Sequence, residues 1–263
     1  MQYWGLSAMA DSWLSYANLS DDYERRARFI PAVLALLPAL PLLASIKTPL
    51  SAYVQFLLGG VGLSAIAAVG LSHAASAFGN RLQARLWPSW PHDAPTHRCL
   101  HPDNASVSSQ QRKRWYAAIR TVVQLDIEGA AETGDPHELQ TVINDAVQAL
   151  RNRLWKAPEA ERARMHNVEY GFARNLLGLW PVWCSLAVAS LLGCWVAHVW
   201  CGRPIAWAIV ATVVALALAG LFPALPSYVR RRADYYAESF LEAVVAVSER
   251  EAGNVARQGD TPP

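Results

Sequence analysis

LLGLWPVWCSLAVASLLGCWVAHVW (residues 176–200) and IAWAIVATVVALALAGLFPALPSYV (residues 205–229) flank the four residues Cys201-Gly202-Arg203-Pro204. Arg203 is the only Asp, Glu, Lys or Arg between residues 176 and 229. Each run exceeds the roughly 20 apolar residues that an α-helix needs to cross a hydrocarbon core of about 30 Å. A turn of four residues forces the two runs to be antiparallel, so this stretch reads as a transmembrane hairpin. Trp180 and Trp183 lie toward one end of the first run, Trp195 and Trp200 toward the other, the level at which amphipathic rings settle in a bilayer.

A second pair of apolar runs stands nearer the N-terminus. Phe29–Ile46 carries no charge but contains Pro31, Pro38 and Pro41. In water these would break a helix; in a bilayer a kinked span survives where neighbours re-satisfy the freed backbone groups. Lys47-Thr48-Pro49 is a tight connection to Leu50–Ser72, also uncharged, in which Gly60, Ser64, Ala68 and Ser72 fall four apart. Small residues at that spacing let helices approach closely in lipid, against this chain's other spans or against a second copy. The expected fold is therefore an all-α membrane protein with four transmembrane helices in two hairpins: residues 29–46 and 50–72, then 176–200 and 205–229.

Composition agrees. Hydrophobic residues make up 53% of the 263, and charged residues only 17%, against about a quarter in soluble domains. A net charge of +2 gives no global field for nucleic acid, so no nucleic-acid partner is expected. Four scattered cysteines make no disulfide framework. The acidic and aromatic N-terminus lacks the basic region of a cleavable signal peptide. Residues 1–28 read as an amphipathic arm, with Trp4, Met9, Trp13 and Tyr16 at helical spacing, lying on the membrane or on the protein's own polar domain.

Between the hairpins lies a polar segment, residues 73–175, expected to form a small helical domain. Residues 73–86 leave the membrane as a helix. Trp87 to Thr96, with Pro88, Pro91 and Pro95, is no regular element. Ser108 to about Ala131 reads as a helix with an apolar face of Trp115, Ile119, Val122, Val123 and Ile127. Asp135 then caps a further helix from Pro136 to about Trp155, whose face is Leu139, Val142, Ile143, Ala146, Val147 and Leu150. Pro158 ends it, and a last helix from Glu159 leads toward the third span. After Arg230-Arg231-Arg232, residues 230–263 are read as a separate C-terminal helix (Tyr236, Phe240, Leu241, Val244, Val247) capped by Gly253, and a tail. Twenty-one of the twenty-three Lys and Arg lie outside the two tight turns, which puts both termini and the central domain on the cytoplasmic side.

Chemical signatures are sparse. His92, Asp93, His97, Cys99, His101 and Asp103 crowd together, but their spacing matches no common zinc site, so neither a metal nor another cofactor is expected. There is no nucleophile elbow and no phosphate-cradling glycine loop, so no catalytic residues are assigned. The spans hold no Asp, Glu, Lys or Arg, and His198 and Gln55 are their only strongly polar side chains, which argues against coupled transport. Arg112-Lys113-Arg114 reads as a lipid-facing or solvated basic run.

Two polar stretches carry a resemblance. LWPSWPHDAPTHRCLHPD, the Trp87–Asp103 loop with its preceding leucine, is similar to a Leu-Trp, Trp-Gly-Gly, Pro-Thr-Thr, Leu-Arg-His pattern. NVEYGFARN (Asn167–Asn175), followed by Gly178-Leu-Trp-Pro181, resembles an Asn-x-x-Tyr-Gly-Phe-Arg-Arg-Asn motif that precedes a span. Both patterns belong to a family of uncharacterised bacterial multi-span inner-membrane proteins. In this chain Pro91-His92 stands where the family has paired Gly, and His97 where it has the second Thr. The resemblance implies the layout and a bacterial inner membrane, and no chemistry.

From these readings the interaction residues expected are Trp87, Trp90 and Thr96 in the loop, and Tyr170, Phe172, Arg174 and Asn175 at an elbow before the third span. The loop is expected to dock on the elbow, with Arg174 and Asn175 holding it. The functions compatible with the sequence are a non-enzymatic sensor or effector, such as one of a defence or stress system, acting through a cytoplasmic protein partner or by self-assembly; a small oligomeric channel; and a membrane-bound enzyme with its site at residues 87–103.

Overall fold

A computed structural model describes residues 22–45 and 61–259, with side chains placed for 22–45 and 69–254. Residues 1–21 of the expected amphipathic arm, the Lys47-Thr48-Pro49 turn and the first half of the expected second span lie outside these residues. All regular structure among the described residues is helical. The helices are α1 (Ile30–Leu34), α2 (Leu40–Ser45), α3 (Val61–Leu86), α4 (Pro95–Leu100), α5 (Ser109–Val123), α6 (Ile127–Glu132), α7 (Pro136–Leu154), α8 (Glu161–Gly178), α9 (Trp180–Cys201), α10 (Ile205–Leu221) and α11 (Leu225–Gly259). The chain forms two compact units, an apolar one (Met1–Leu82 and Val168–Val229) and a polar one (Gln83–Asn167 and Arg230–Pro263).

In the apolar unit, three segments among the described residues are long and apolar enough to cross a membrane: Glu24–Ser45, Trp180–Cys201 and the stretch that starts at Ile205 within Ile205–Asn254. α9 and α10 pack as the expected hairpin around buried Cys194, Ala208 and Ala211. Gly202 closes α9 in the left-handed region (φ 62°), where a side chain would be strained. His198, the ionisable group in the spans, bonds through Nδ1 to the Arg203 carbonyl at 2.8 Å, so it serves the turn. Val188, Leu192, Val199, Val213 and Leu216 face outward and exposed, the placement that hydrocarbon favours and water does not.

The first of these segments shows what its prolines do. Glu24–Phe29 is π-helical, α1 follows, and Leu37–Ala39 is a 3₁₀ turn before α2. Pro41 has no N–H, and the amide of Leu42, left over at the start of α2, donates to Ser190 Oγ of α9 at 3.2 Å. A neighbouring span thus pairs what the break exposes. α9 comes this close because Gly193 has no side chain: a Cβ there would stand 2.5 Å from Leu42 Cδ1. A tighter crossing joins α3 and α8. A Cβ on Gly178 would lie 2.7 Å from the backbone nitrogen of Gly79 and 2.7 Å from the carbonyl carbon of Phe78.

The polar unit has its own core. α5, α6, α7 and the later part of α11 bury Trp115, Ile119, Ile127, Leu139, Ile143, Val147, Leu150, Phe240, Leu241, Val244 and Val247 against one another. The apolar stripe of the C-terminal helix, read from sequence as Tyr236, Phe240, Leu241, Val244 and Val247, completes this core. Arg114 to Glu249 (3.3 Å), Arg153 to Glu251 (2.9 Å) and Arg250 to Glu159 (2.7 Å) fasten α11 at its rim, each worth only a fraction of a kcal/mol in water.

Three local expectations change. The helix expected over 108–131 is two: Gln124 takes a left-handed conformation (φ 59°), and Asp126 restarts the chain as α6 by accepting from the Gly129 amide at 3.0 Å. The 87–103 loop contains α4, begun by Pro95 at its first turn. Gly253 does not cap the C-terminal helix but lies inside α11, with open space around it.

The α3–α8 crossing sets a test. Gly178→Ala pushes a methyl into backbone and is expected to cost about 1–3 kcal/mol, seen as a lower unfolding midpoint in detergent. Gly70→Ala, in α3 with nothing within 4 Å, is expected to leave the midpoint unchanged or raise it slightly.

Candidate functional site

Each unit holds one of the two stretches singled out from the sequence. On α8, Gly171, Asn175 and Gly178 recur at helical spacing and form one face. A Cβ on Gly171 would be 2.8 Å from Ala27 Cβ and 3.1 Å from the Tyr23 hydroxyl, the close backbone approach expected of this glycine. Asn175 is fully buried. Its Nδ2 donates to the carbonyl of Ala27 at 2.6 Å. Pro31, four residues on, has no N–H to offer this carbonyl, and Ala27 lies in the π-helical stretch Glu24–Phe29, whose ladder runs to the fifth residue. Asn175 adds a side-chain donor to it. Its Oδ1 accepts from Arg174 Nε at 3.3 Å, and a Cβ on Gly79 would fall 1.9 Å from the same oxygen.

Arg174 is buried, with its guanidinium 5.7 Å from the centre of the Tyr170 ring. Such stacking suits a cation withdrawn from water. Tyr170 is buried and Phe172 half-buried. The motif Tyr170–Asn175 is thus a crossing point of helices within the apolar unit. Pro31, four residues after Ala27, and the Gly171/Asn175/Gly178 spacing were the signals in the sequence.

In the polar unit, Trp87 is buried and its ring centre is 6.2 Å from that of Trp90. Trp90 itself keeps 38% of its surface exposed. Thr96 is buried at the start of α4, as is His97 beside it. Arg112, expected on a solvated or lipid-facing run, instead donates to the carbonyls of Asn104 (2.6 Å) and Val107 (3.1 Å) and closes the following loop. Arg114 belongs to the rim of α11.

His97 was read as an incidental loop residue, yet it is 4% exposed, and among the described residues neither ring nitrogen has a hydrogen bond of good geometry. Burial, then the Arg151 guanidinium, hold its pKa down to about 4; a contact with the Asn144 side chain acts in the other direction, and His92 adds to the depression. The imidazole is neutral near pH 7. It lines a pocket of about 190 Å³ with His92, Asp93, Arg98, His101, Gln140 and Ile143. A second pocket of about 420 Å³ is lined by Leu86, Trp87, Asp93, Arg98, Arg230 and Asp234. The two share Asp93 and Arg98, and so adjoin.

Cys99 is pushed up to about 11 by burial, then by Asp234 and Glu238, so it stands as a thiol and is a poor nucleophile. Burial also raises Asp234, against the pull of Arg98 and Arg230. Among the described residues no three His, Cys, Asp or Glu side chains converge to hold a metal ion. Comparison of the chain with protein-family models, curated proteins and solved structures finds no match in any of the three.

The buried imidazole sets the sign of a pH effect. A histidine whose folded pKa lies below its ordinary 6.5 contributes stability that is present above 6.5 and lost as pH falls toward about 4. The loss is at most on the order of a few kcal/mol. His97→Gln is expected to flatten the decline of the unfolding midpoint between pH 6.5 and 4 relative to the wild-type chain, with Asp93, His92, Arg98 and Arg151 unchanged around it.

Proposed function

We propose that this chain is a non-enzymatic component of a bacterial inner membrane, a sensor or effector with four spans in two hairpins and with both termini and the polar unit in the cytoplasm. The spans anchor it in the bilayer. The polar unit is the part that meets a cytoplasmic ligand or protein, and self-assembly through the small-residue faces of the spans is its way of responding. The observation that carries this reading is the division of labour between the units. One has charge-free segments with apolar outward faces; the other has a core of its own and two adjoining pockets lined by charged side chains. The raised thiol of Cys99 and the structural use of Arg112 and His198 leave no activated nucleophile among them, which favours recognition over catalysis.

Two measurements bear on it. A reporter active only in the periplasm should work when fused after Gly202 and stay silent after Gly134 or Gly253; activity at Gly134 would overturn the orientation. Expression of the chain alone should leave the membrane potential of the host unchanged, whereas depolarisation would favour a pore over a sensor.

A further inference from the structure

We propose that the pocket formed by His97, Arg98, Asp93 and Gln140 binds a phosphate group that carries a proton. The argument begins with His97. An imidazole that is 4% exposed, with the Asn144 side chain as its near polar neighbour and no hydrogen bond of good geometry on either nitrogen among the described residues, is short of the hydrogen bonds that buried polar groups normally have. Its ring forms part of the wall of a pocket of about 190 Å³.

The other walls define what that ligand is. Arg98 brings a guanidinium, a fork of donors matched to oxyanions, and among the described residues it has no carboxylate within ion-pair range. Gln140 adds an amide. Arg151 faces His97 closely enough to depress its pKa, so the surroundings favour an anion. Asp93 distinguishes one oxyanion from another. Its Oδ2 accepts from the Ser89 amide at 3.0 Å, and Oδ1 has no partner among the described residues. A carboxylate ligand or a sulfate would bring only acceptors to this oxygen and be repelled. A phosphate bearing one proton offers P–OH to Asp93 and its remaining oxygens to Arg98, Gln140 and the imidazole N–H.

The volume is below the roughly 300–1,000 Å³ of drug-sized ligands, which suits the phosphate group itself. The adjoining pocket of about 420 Å³, with Trp87, Leu86 and Arg230 on its walls, gives a substituent somewhere to go. The same chemistry is met by free phosphate or a small phosphomonoester, and by a phosphomonoester lipid headgroup.

The inference adds a ligand class to the sensor reading, but the two fail separately. Reporter activity at Gly134 would move the polar unit out of the cytoplasm and leave the site intact; absence of phosphate binding would remove the site and leave the topology.

The test uses the full chain, purified in a phospholipid-free nonionic detergent and a phosphate-free buffer. Titration calorimetry with inorganic phosphate is expected to show one saturable site, with sulfate at least about 10-fold weaker. Arg98→Gln should weaken phosphate at least about 10-fold, and Asp93→Asn should close most of the gap between phosphate and sulfate. Gln140→Leu, a substitution of a half-buried side chain, provides a second weakened variant should Arg98→Gln unfold. A parallel arm reconstitutes the chain in nanodiscs of phosphatidylcholine with or without phosphatidic acid and measures lipid retained through detergent extraction. Retention of phosphatidic acid that Arg98→Gln abolishes assigns the site to a headgroup; phosphate binding without it assigns a soluble ligand. If neither phosphate nor phosphatidic acid binds the wild-type chain, or if folded Arg98→Gln, Asp93→Asn and Gln140→Leu all bind phosphate as the wild type does, the proposal is wrong.

Discussion

A single carbonyl oxygen, that of Ala27, constrains the apolar unit more than any other group. Pro31 offers it no N–H at the α-helical spacing, and in hydrocarbon a backbone carbonyl short of donors is costly. Asn175 reaches across from α8 to supply the donor at 2.6 Å. To do so α8 must pass close to the first segment, which needs Gly171 opposite Ala27, and close to α3, which needs Gly79 and Gly178 at the contact. Arg174 then holds the other end of the Asn175 amide. One proline thus accounts for the identities of several residues more than a hundred positions away.

This bond also explains which parts of the fold were legible beforehand. The charge-free runs were visible because hydrocarbon imposes a length and a composition on any span. The apolar stripes of α5, α7 and α11 were visible because each repeats with the helical period, and Trp115, Leu150, Phe240 and Val244 all enter one core. What covers the stripe of α11 was not legible, because a stripe tells that a face is covered but not by what. The break at Gln124 was hidden, since a left-handed glutamine has no compositional mark, although Asp126 three residues before Gly129 was an available capping signal.

The candidate sites were less legible, and for a different reason. Tyr170, Arg174 and Asn175 stood out as a motif, but their use within a helix crossing depends on which backbone groups lie opposite. His97 was set aside as an incidental loop residue because short-range spacing said nothing of its burial. Pro95 starts α4 and turns the following side chains inward, and only then does an imidazole without hydrogen bonds face Arg98 and Asp93 across a pocket. In both units the informative residue is a buried polar group whose partner is set by the fold.

The central claim, that Asn175 stabilises the apolar unit by donating to the Ala27 carbonyl, to which Pro31 offers no N–H, is tested most directly by a double-mutant cycle. Unfolding free energies in detergent would be measured for the wild type, Asn175→Ala, Pro31→Ala and the double variant. Alanine at residue 31 offers that carbonyl an N–H at the α-helical spacing. The loss on Asn175→Ala should then shrink by about 1 kcal/mol or more in the Pro31→Ala background. Equal losses in both backgrounds, with all four proteins folded, would contradict it.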